Sequence, residues 1–359
     1  MYKIIISFLV SGIILFGCSK TNTYLPDNNS TNLLEYGWSV PLDQLVLSQL
    51  PMDRIKSIDK PHFEILSNAT IERNEVVYIY QYGDTIKIYP ETILAGHEVV
   101  NDRIGNHFFA ITYCPLTGSA IVWNREVNGI ISEFGVSGHL YNENLIAYDR
   151  NDTSYWSQML MHGIKGINDG EVLDNYQLFG TSGSTAEKLF PNALVLVDSL
   201  GHVCADSICG RLKINRDFVE PSDNDNIVLP SSDYFGIVNT NLINGGKNAL
   251  LVNYDIFADS ISIYQTTFSN SDIIILGSNT LEFIVAFENN TNYSSDKFYA
   301  VQNSLPIIFA DSSGNKYNVM GVIVSGPNRG NRLPSPKSYS AHSFAWELFY
   351  NSSIEIFEK

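Results

Sequence analysis

Cys114 stands where a scaffold often presents a reactive group, at the end of the aromatic and β-branched run Phe108 to Tyr113 and directly before Pro115. Proline has no backbone N–H and disfavours helical geometry in the residue before it, so a strand must end here and turn. Ala120 to Trp123 supplies the returning strand. Three chemistries fit the thiol. As a small buried hydrophobe it would share the commonest fate of a lone cysteine. As a nucleophile it needs a nearby cation or helix N-terminus to lower its pKa from about 8.5. As a metal ligand it needs partners, and His97, His107 and His139 are the nearest imidazoles in sequence. One Cys with two His and Met159 would suit copper or zinc, although the spacing matches no short metal motif.

Other polar residues gather around this stretch. His97 is followed by Glu98 and, a little later, Asp102; a carboxylate can orient an imidazole as base or ligand, and the bland alternative is a surface or capping histidine. His139 and His162 are weaker candidates of the same kind. Tyr148-Asp149-Arg150 and Ser154-Tyr155-Trp156 have two readings. The structural one is a local salt bridge or Asx-turn. The functional one makes Asp149 and Arg150 the polar wall of a cleft, with Trp156 as an apolar platform for a ligand. Cys114, His97 and Asp149 are thus the candidate catalytic residues, Arg150, Trp156 and His139 the candidate ligand contacts, and Cys114, His97 and His139 the candidate metal ligands. A cleft in the first half carrying Cys114, His97 and Asp149 is the expected site. The chain has no G-x-S-x-G elbow, H-E-x-x-H, phosphate loop or dinucleotide fingerprint.

The elements that must position these residues are mostly strands. VVYIYQYGDTIKIYP reads as a hairpin of Glu75 to Tyr82 and Thr85 to Tyr89 turning at Gly83-Asp84, and Pro90 opens a short helical turn, ETILAGHEVVND, that delivers His97, Glu98 and Asp102. Ser184 with Glu187 three residues on marks a capping box and a short helix, and Ala193 to Val197 a strand. With 44% hydrophobic residues, 20 Tyr and 19 Phe, the composition is globular and favours sheet. The net charge of −16 argues against nucleic acid as a partner.

Three stretches resemble a known family. TYCPLTGSAIVWNR, FGVSGHLYNENLIAYDRNDTSYW and YPETILAGHEVVND are together similar to the bacterial family catalogued as domain of unknown function 3179. The resemblance runs from about Val40 to the C-terminus and is dense between Tyr89 and Gln158. It implies no activity. Members commonly carry Cys-Pro-Leu-Cys where this chain has Thr117 as the fourth residue, so the resemblance offers no dithiol chemistry here.

Both ends of the chain add expectations. Residues 1–18 read as a lipoprotein signal peptide: Lys3, an apolar run from Ile4 to Phe16, and Leu15-Phe16-Gly17-Cys18 as a lipobox. Cys18 would be acylated (palmitate among the chains), anchoring the protein to a membrane of the bacterial cell envelope, with Ser19 favouring the outer membrane. Residues 19–35 read as a polar flexible tether. In an oxidising compartment Cys204 and Cys209 would form a small-loop disulfide.

The remainder divides into a first half, 36–214, carrying the Cys and His motifs, and a second, degenerate half, 215–359. Ile274 to Phe287 mirrors the first hairpin, Ser304 to Val319 is similar to Phe108–Ile121, and NDGEVL over 168–173 echoes NRGNRL over 328–333. The predicted fold is α+β and β-rich, with short antiparallel strands, few short helices and two degenerate pseudo-repeats; an all-β fold is the alternative. The predicted function is an envelope lipoprotein binding a small ligand or metal ion in a cleft near Cys114. The alternatives are a thiol-dependent enzyme with Cys114 as nucleophile and a structural scaffold that meets an envelope protein.

Overall fold

Short β-prone runs closed by glycine-containing turns leave each strand only a few residues long, and most pairings antiparallel. The computed structural model describes residues 37–49, 51–69, 71–197, 229, 232–240, 248–289 and 297–359. The fold is α+β, dominated by short antiparallel strands with few short helices. Among the described residues the three longest helices, Glu91–His97 (α1), Gly183–Leu189 (α2) and Ser343–Tyr350 (α3), each make about two turns.

The first hairpin forms as the sequence predicts. Val76–Tyr82 (β1) pairs with Thr85–Pro90 (β2) around Gly83, whose φ of +56° suits a two-residue turn. Val99–Ile104 (β3), His107–Cys114 (β4) and Ser119–Asn124 (β5) form an antiparallel meander, with Cys114 opposite Ser119. Phe134–Tyr141 (β6), Asn144–Asp149 (β7), Tyr155–Ser157 (β8) and His162–Lys165 (β9) make a third sheet, edged by Leu45–Val46. Phe179–Ser182 (β10) then returns to the outer side of β1, and after α2, Leu194–Val197 (β11) pairs parallel to β2.

The later part of the chain begins with Asp233–Asn239 (β12) and Asn248–Asn253 (β13), again an antiparallel pair. Ser262–Phe268 (β14), Ser271–Ser278 (β15) and Phe283–Glu288 (β16) follow as a meander. Phe298–Ala300 (β17), Ile307–Asp311 (β18), Lys316–Asn318 (β19) and Ile323–Ser325 (β20) form the next sheet. Ser338–His342 (β21) pairs with β12, and after α3, Ile354–Ile356 (β22) lies parallel to β13.

The two parts share their cores. One cluster joins Trp123, Phe134 and Trp156 to Tyr339, Trp346 and Tyr350; another joins Ile79 and Phe179 to Phe283, Phe309 and Tyr317. Fully burying one such side chain contributes about 1.5–3 kcal/mol, so neither part would keep its packing without the other. Two glycines permit the closest approaches. A Cβ on Gly236 would fall 2.2 Å from the Trp346 ring, and one on Gly118, where φ is +63°, would fall 2.7 Å from the His342 imidazole. Beside Gly118, the His342 N–H donates to the Thr117 carbonyl at 2.9 Å, fixing the Cys-Pro-Leu-Thr-Gly turn to the start of α3.

Three expectations are corrected by this fold. The helix expected to begin with a capping box at Ser184 begins at Gly183, with Ser182 as N-cap and no side-chain capping bond, so Ser184 is already inside it. The disulfide finds no counterpart: among the described residues the one cysteine, Cys114, is free, while Cys204 and Cys209 lie outside them. The membrane anchor finds none either, since no helix among the described residues is long and apolar enough to cross a membrane and Cys18 also lies outside them.

Candidate functional site

The end of β4 carries Cys114 into the interior, where it is 2% exposed. Its Sγ lies 3.8 Å from the Glu143 carbonyl. Burial, and next the nearby Glu98 carboxylate, push the thiol pKa up, outweighing the hydrogen bonds from Thr117 and Leu116. A nucleophilic cysteine needs the opposite shift.

Beside it Thr112, Thr117, Ser119, Asn144 and Gln158 are all buried and joined to one another. Gln158 Oε1 accepts from Ser119 Oγ and from Asn144 Nδ2, both at 2.7 Å, and Asn144 Nδ2 donates to Thr117 Oγ1 at 2.9 Å. Thr117 is therefore part of a hydrogen-bonded core. Satisfied networks of this kind fix one packing arrangement.

The other predicted residues are placed separately. His97 ends α1 and turns its Nδ1 to the Lys56 carbonyl at 2.6 Å. Asp149 is buried at the end of β7, where Oδ2 accepts from Ser132 Oγ at 2.8 Å and Oδ1 from the Asn151 N–H at 2.7 Å. Burial raises its pKa, and these bonds pull it back down. Cys114, His97 and Asp149 thus have separate hydrogen-bond partners. His139 is half-buried beside Trp38 and Tyr155 and accepts from the Ser48 N–H through Nδ1 at 3.0 Å. Trp156 is wholly buried, edge-on to Phe134, and is not a cleft wall. Among the described residues no group of three or more His, Cys, Asp or Glu is arranged to hold a metal ion.

Glu98, one residue past α1, has a φ of +59° and a carboxyl whose pKa burial raises to about 7. The unfolded chain titrates a glutamate near 4.3, so the folded state holds this proton more tightly. The cost of burying the charge is absent at low pH, grows as pH rises between about 4 and 7, and is complete above 7. Glu98→Gln should therefore be more stable than the wild type at about pH 8, by up to about 3 kcal/mol less what partial contact with water returns. Denaturant titration at about pH 8 and about pH 4.5 checks this; an equal advantage at both would exclude Glu98 ionisation as the cause.

Convergence occurs elsewhere, in a polar cleft of about 460 Å³. Asn101 and Asp102 on β3, Arg125 just after β5, and Glu133 just before β6 line it, so two of the three resembling stretches end in it, and the third lies at its border through Phe134 and Arg150. Its floor is held rigidly. Lys87 Nζ donates to both Asp102 oxygens at 2.8 Å, Tyr89 OH donates to Asp102 Oδ2 at 2.7 Å, and the pair lies deeply buried. Asn101 Nδ2 donates to the Phe134 carbonyl at 2.8 Å, and its Oδ1 accepts from the Phe134 N–H at 2.9 Å. Arg150 braces the border: Nη1 reaches Asp59 at 2.8 Å, and Nη2 reaches Ser57 at 2.8 Å and Asp53 at 3.1 Å. Arg150, a candidate ligand contact by sequence, here pins the 53–59 segment. A larger cavity of about 510 Å³, among Val172, Ile237, Phe268 and Lys337, includes none of these motif side chains.

Lys87, Asn101 and Arg125 were not among the residues singled out by sequence. The signal for the first two was there: a lysine between Ile86 and Ile88, and a polar pair following Val99-Val100, break otherwise apolar strand runs.

The model of a family described as protein of unknown function, DUF3179, matches residues 52–353. The chain belongs to this family. No curated protein and no solved structure matches it. The DUF3179 match covers every strand labelled above except β22, and so includes both the network beside Cys114 and the cleft.

Proposed function

We propose that this DUF3179 protein is an exported protein of the bacterial cell envelope that binds a small ligand in the cleft bordered by Asn101, Asp102 and Arg125. The observation that carries the reading is that two of the resembling stretches end in this cleft, at Asn101-Asp102 and at Arg125, and the third borders it through Phe134 and Arg150, while Cys114 lies buried with a raised pKa. A rigid, hydrogen-bonded floor with charged groups at the rim is what small-ligand sites use for orientation. The leader ending at Cys18 supports export.

Ligand-observed NMR on the full chain with a library of small polar molecules tests this, using Pro61→Trp, which places an indole at the cleft without altering its charge, and Cys114→Ser. Binding abolished by Pro61→Trp and retained by Cys114→Ser is expected. The reverse pattern, or no binder, would overturn the proposal.

We also infer that the halves 36–214 and 215–359 are degenerate copies of one unit. The support is topological. Both contain a hairpin, a meander, a sheet of short strands, and then a strand–helix–strand return whose last strand is parallel to the hairpin's second. Turn hydrogen bonds also correspond: Gly163 N–H to Glu171 O with Ile323 N–H to Asn331 O, and Leu173 N–H to Met161 O with Leu333 N–H to Gly321 O. In this alignment β12–β13 answers β1–β2, and Ile274 to Phe287 answers the meander instead of the hairpin. Ser304 to Val319 answers β7–β8 instead of Phe108–Ile121.

A further inference from the structure

The charges lining the cleft do not cancel in the way their number suggests. Three acids and three cations border it. Asp102 is already held by Lys87 and Tyr89. Asp59 accepts from Arg150 Nη1 at 2.8 Å, Asn101 Nδ2 at 2.8 Å and Ser57 Oγ at 2.9 Å. Glu133 is half-exposed and stands 3.6 Å from Arg150 and 3.8 Å from Arg125, beyond hydrogen-bond length. The acids are therefore engaged or turned partly to water, and with Lys87, Arg150 and Asp53 at the border included, five cations stand against four acids.

The cations are in the opposite condition. Lys60 and Arg103 are exposed and form no ion pair among the described residues. Arg125 is only 7% exposed. Its Nε donates to the Ser132 carbonyl at 2.6 Å and its Nη1 makes a long bond to the Asp102 carbonyl at 3.4 Å. Its Nη2 makes no hydrogen bond among the described residues, and its carboxylate contact is the 3.8 Å pair with Glu133. Burial lowers the Arg125 pKa, the mark of a guanidinium stripped of water without full compensation. Half-buried Phe108, its ring 5.9 Å from Arg125 Cζ, gives the same cleft an apolar wall.

We propose that the cleft binds a small molecule bearing an oxyanion, a carboxylate or a phosphate, with Arg125 as its buried anchor and Lys60 and Arg103 at the rim. This rests on the reading of the cleft as the ligand site. A guanidinium presents parallel N–H donors that match either oxyanion, and low dielectric strengthens that contact. A local excess of cations on a chain of net charge −16 also focuses anions at this one place.

Isothermal titration of the full chain at low salt with inorganic phosphate, glycerol phosphate, succinate and citrate tests the inference, with glucose as the neutral control. At least one anion should bind and glucose should not, and which anion binds distinguishes carboxylate from phosphate. Arg125→Met should weaken binding at least about tenfold, with partial recovery in Arg125→Lys. Because Arg125 is buried, the exposed pair Lys60→Gln/Arg103→Gln gives a second reading and should weaken binding severalfold while flattening its salt dependence. Absence of anion binding, or anion binding indifferent to both variants, overturns the inference. If a neutral molecule binds and is lost in Pro61→Trp while no anion binds, the cleft stands and the anion assignment falls.

Discussion

Asp102→Ala is expected to destabilise the protein by about 3–5 kcal/mol, the cost of leaving one member of a buried ion pair without the other. Lys87 Nζ would lose both carboxylate oxygens and keep only the Arg103 carbonyl at 3.0 Å and the face of Phe63 at 4.1 Å. Tyr89 OH, in a wholly buried side chain, would lose its acceptor too. Because Lys87 lies on β2 and Asp102 on β3, which belong to different sheets, the pair also joins two layers. Replacing both, as Lys87→Met with Asp102→Leu, should recover much of the loss, since the buried charge then disappears with its partner. Urea denaturation of the single and double variants measures the coupling. A single-variant loss under about 1 kcal/mol would mean that water solvates the lysine and that the floor of the cleft is not sealed.

That pair also marks the limit of what could be read from sequence. The hairpin over 76–90 was legible because Gly83-Asp84 and the flanking β-prone runs are local signals, as was the turn after Cys114 set by Pro115. The start of helix α1 after Pro90 was legible for the same reason, but its end was not: the helical turn expected through Asp102 stops at His97, and Val99–Ile104 is a strand. The partners of Arg150, however, are Asp53 and Asp59, which no local spacing connects to it. Of the two structural readings of Asp149-Arg150, the Asx-turn is present, with the Asn151 N–H on Asp149 Oδ1, whereas the local salt bridge is replaced by a long-range brace. Asn101 in its strand and Arg125 just past one escaped because a polar residue in or beside an apolar strand looks like a solvent-facing position until the layer covering it is known. The motifs lie in the half of the chain that carries the proposed cleft, but the chemical prominence of cysteine drew attention to a thiol that is buried.

Trp156 supplies the sharpest test between platform and core. Trp156→Ala is expected to cost about 3–5 kcal/mol, the range for removing a large buried aromatic. The side chain has no exposed surface, packs edge-on to Phe134 at 6.1 Å, and through Phe134 continues to Trp123. Its indole N–H has no hydrogen-bond partner among the described residues, so truncation removes packing and no internal hydrogen bond. Trp156→Phe keeps an aromatic ring and should cost less, about 1–2 kcal/mol, from the residual cavity. The two variants should differ in denaturation midpoint, while folded Trp156→Phe should bind any cleft ligand with unchanged affinity. Binding lost in Trp156→Phe at unaltered stability would restore the indole as a ligand platform. The expected result assigns it to the wall that holds β6, β7 and β8 together, one layer away from where a ligand would sit.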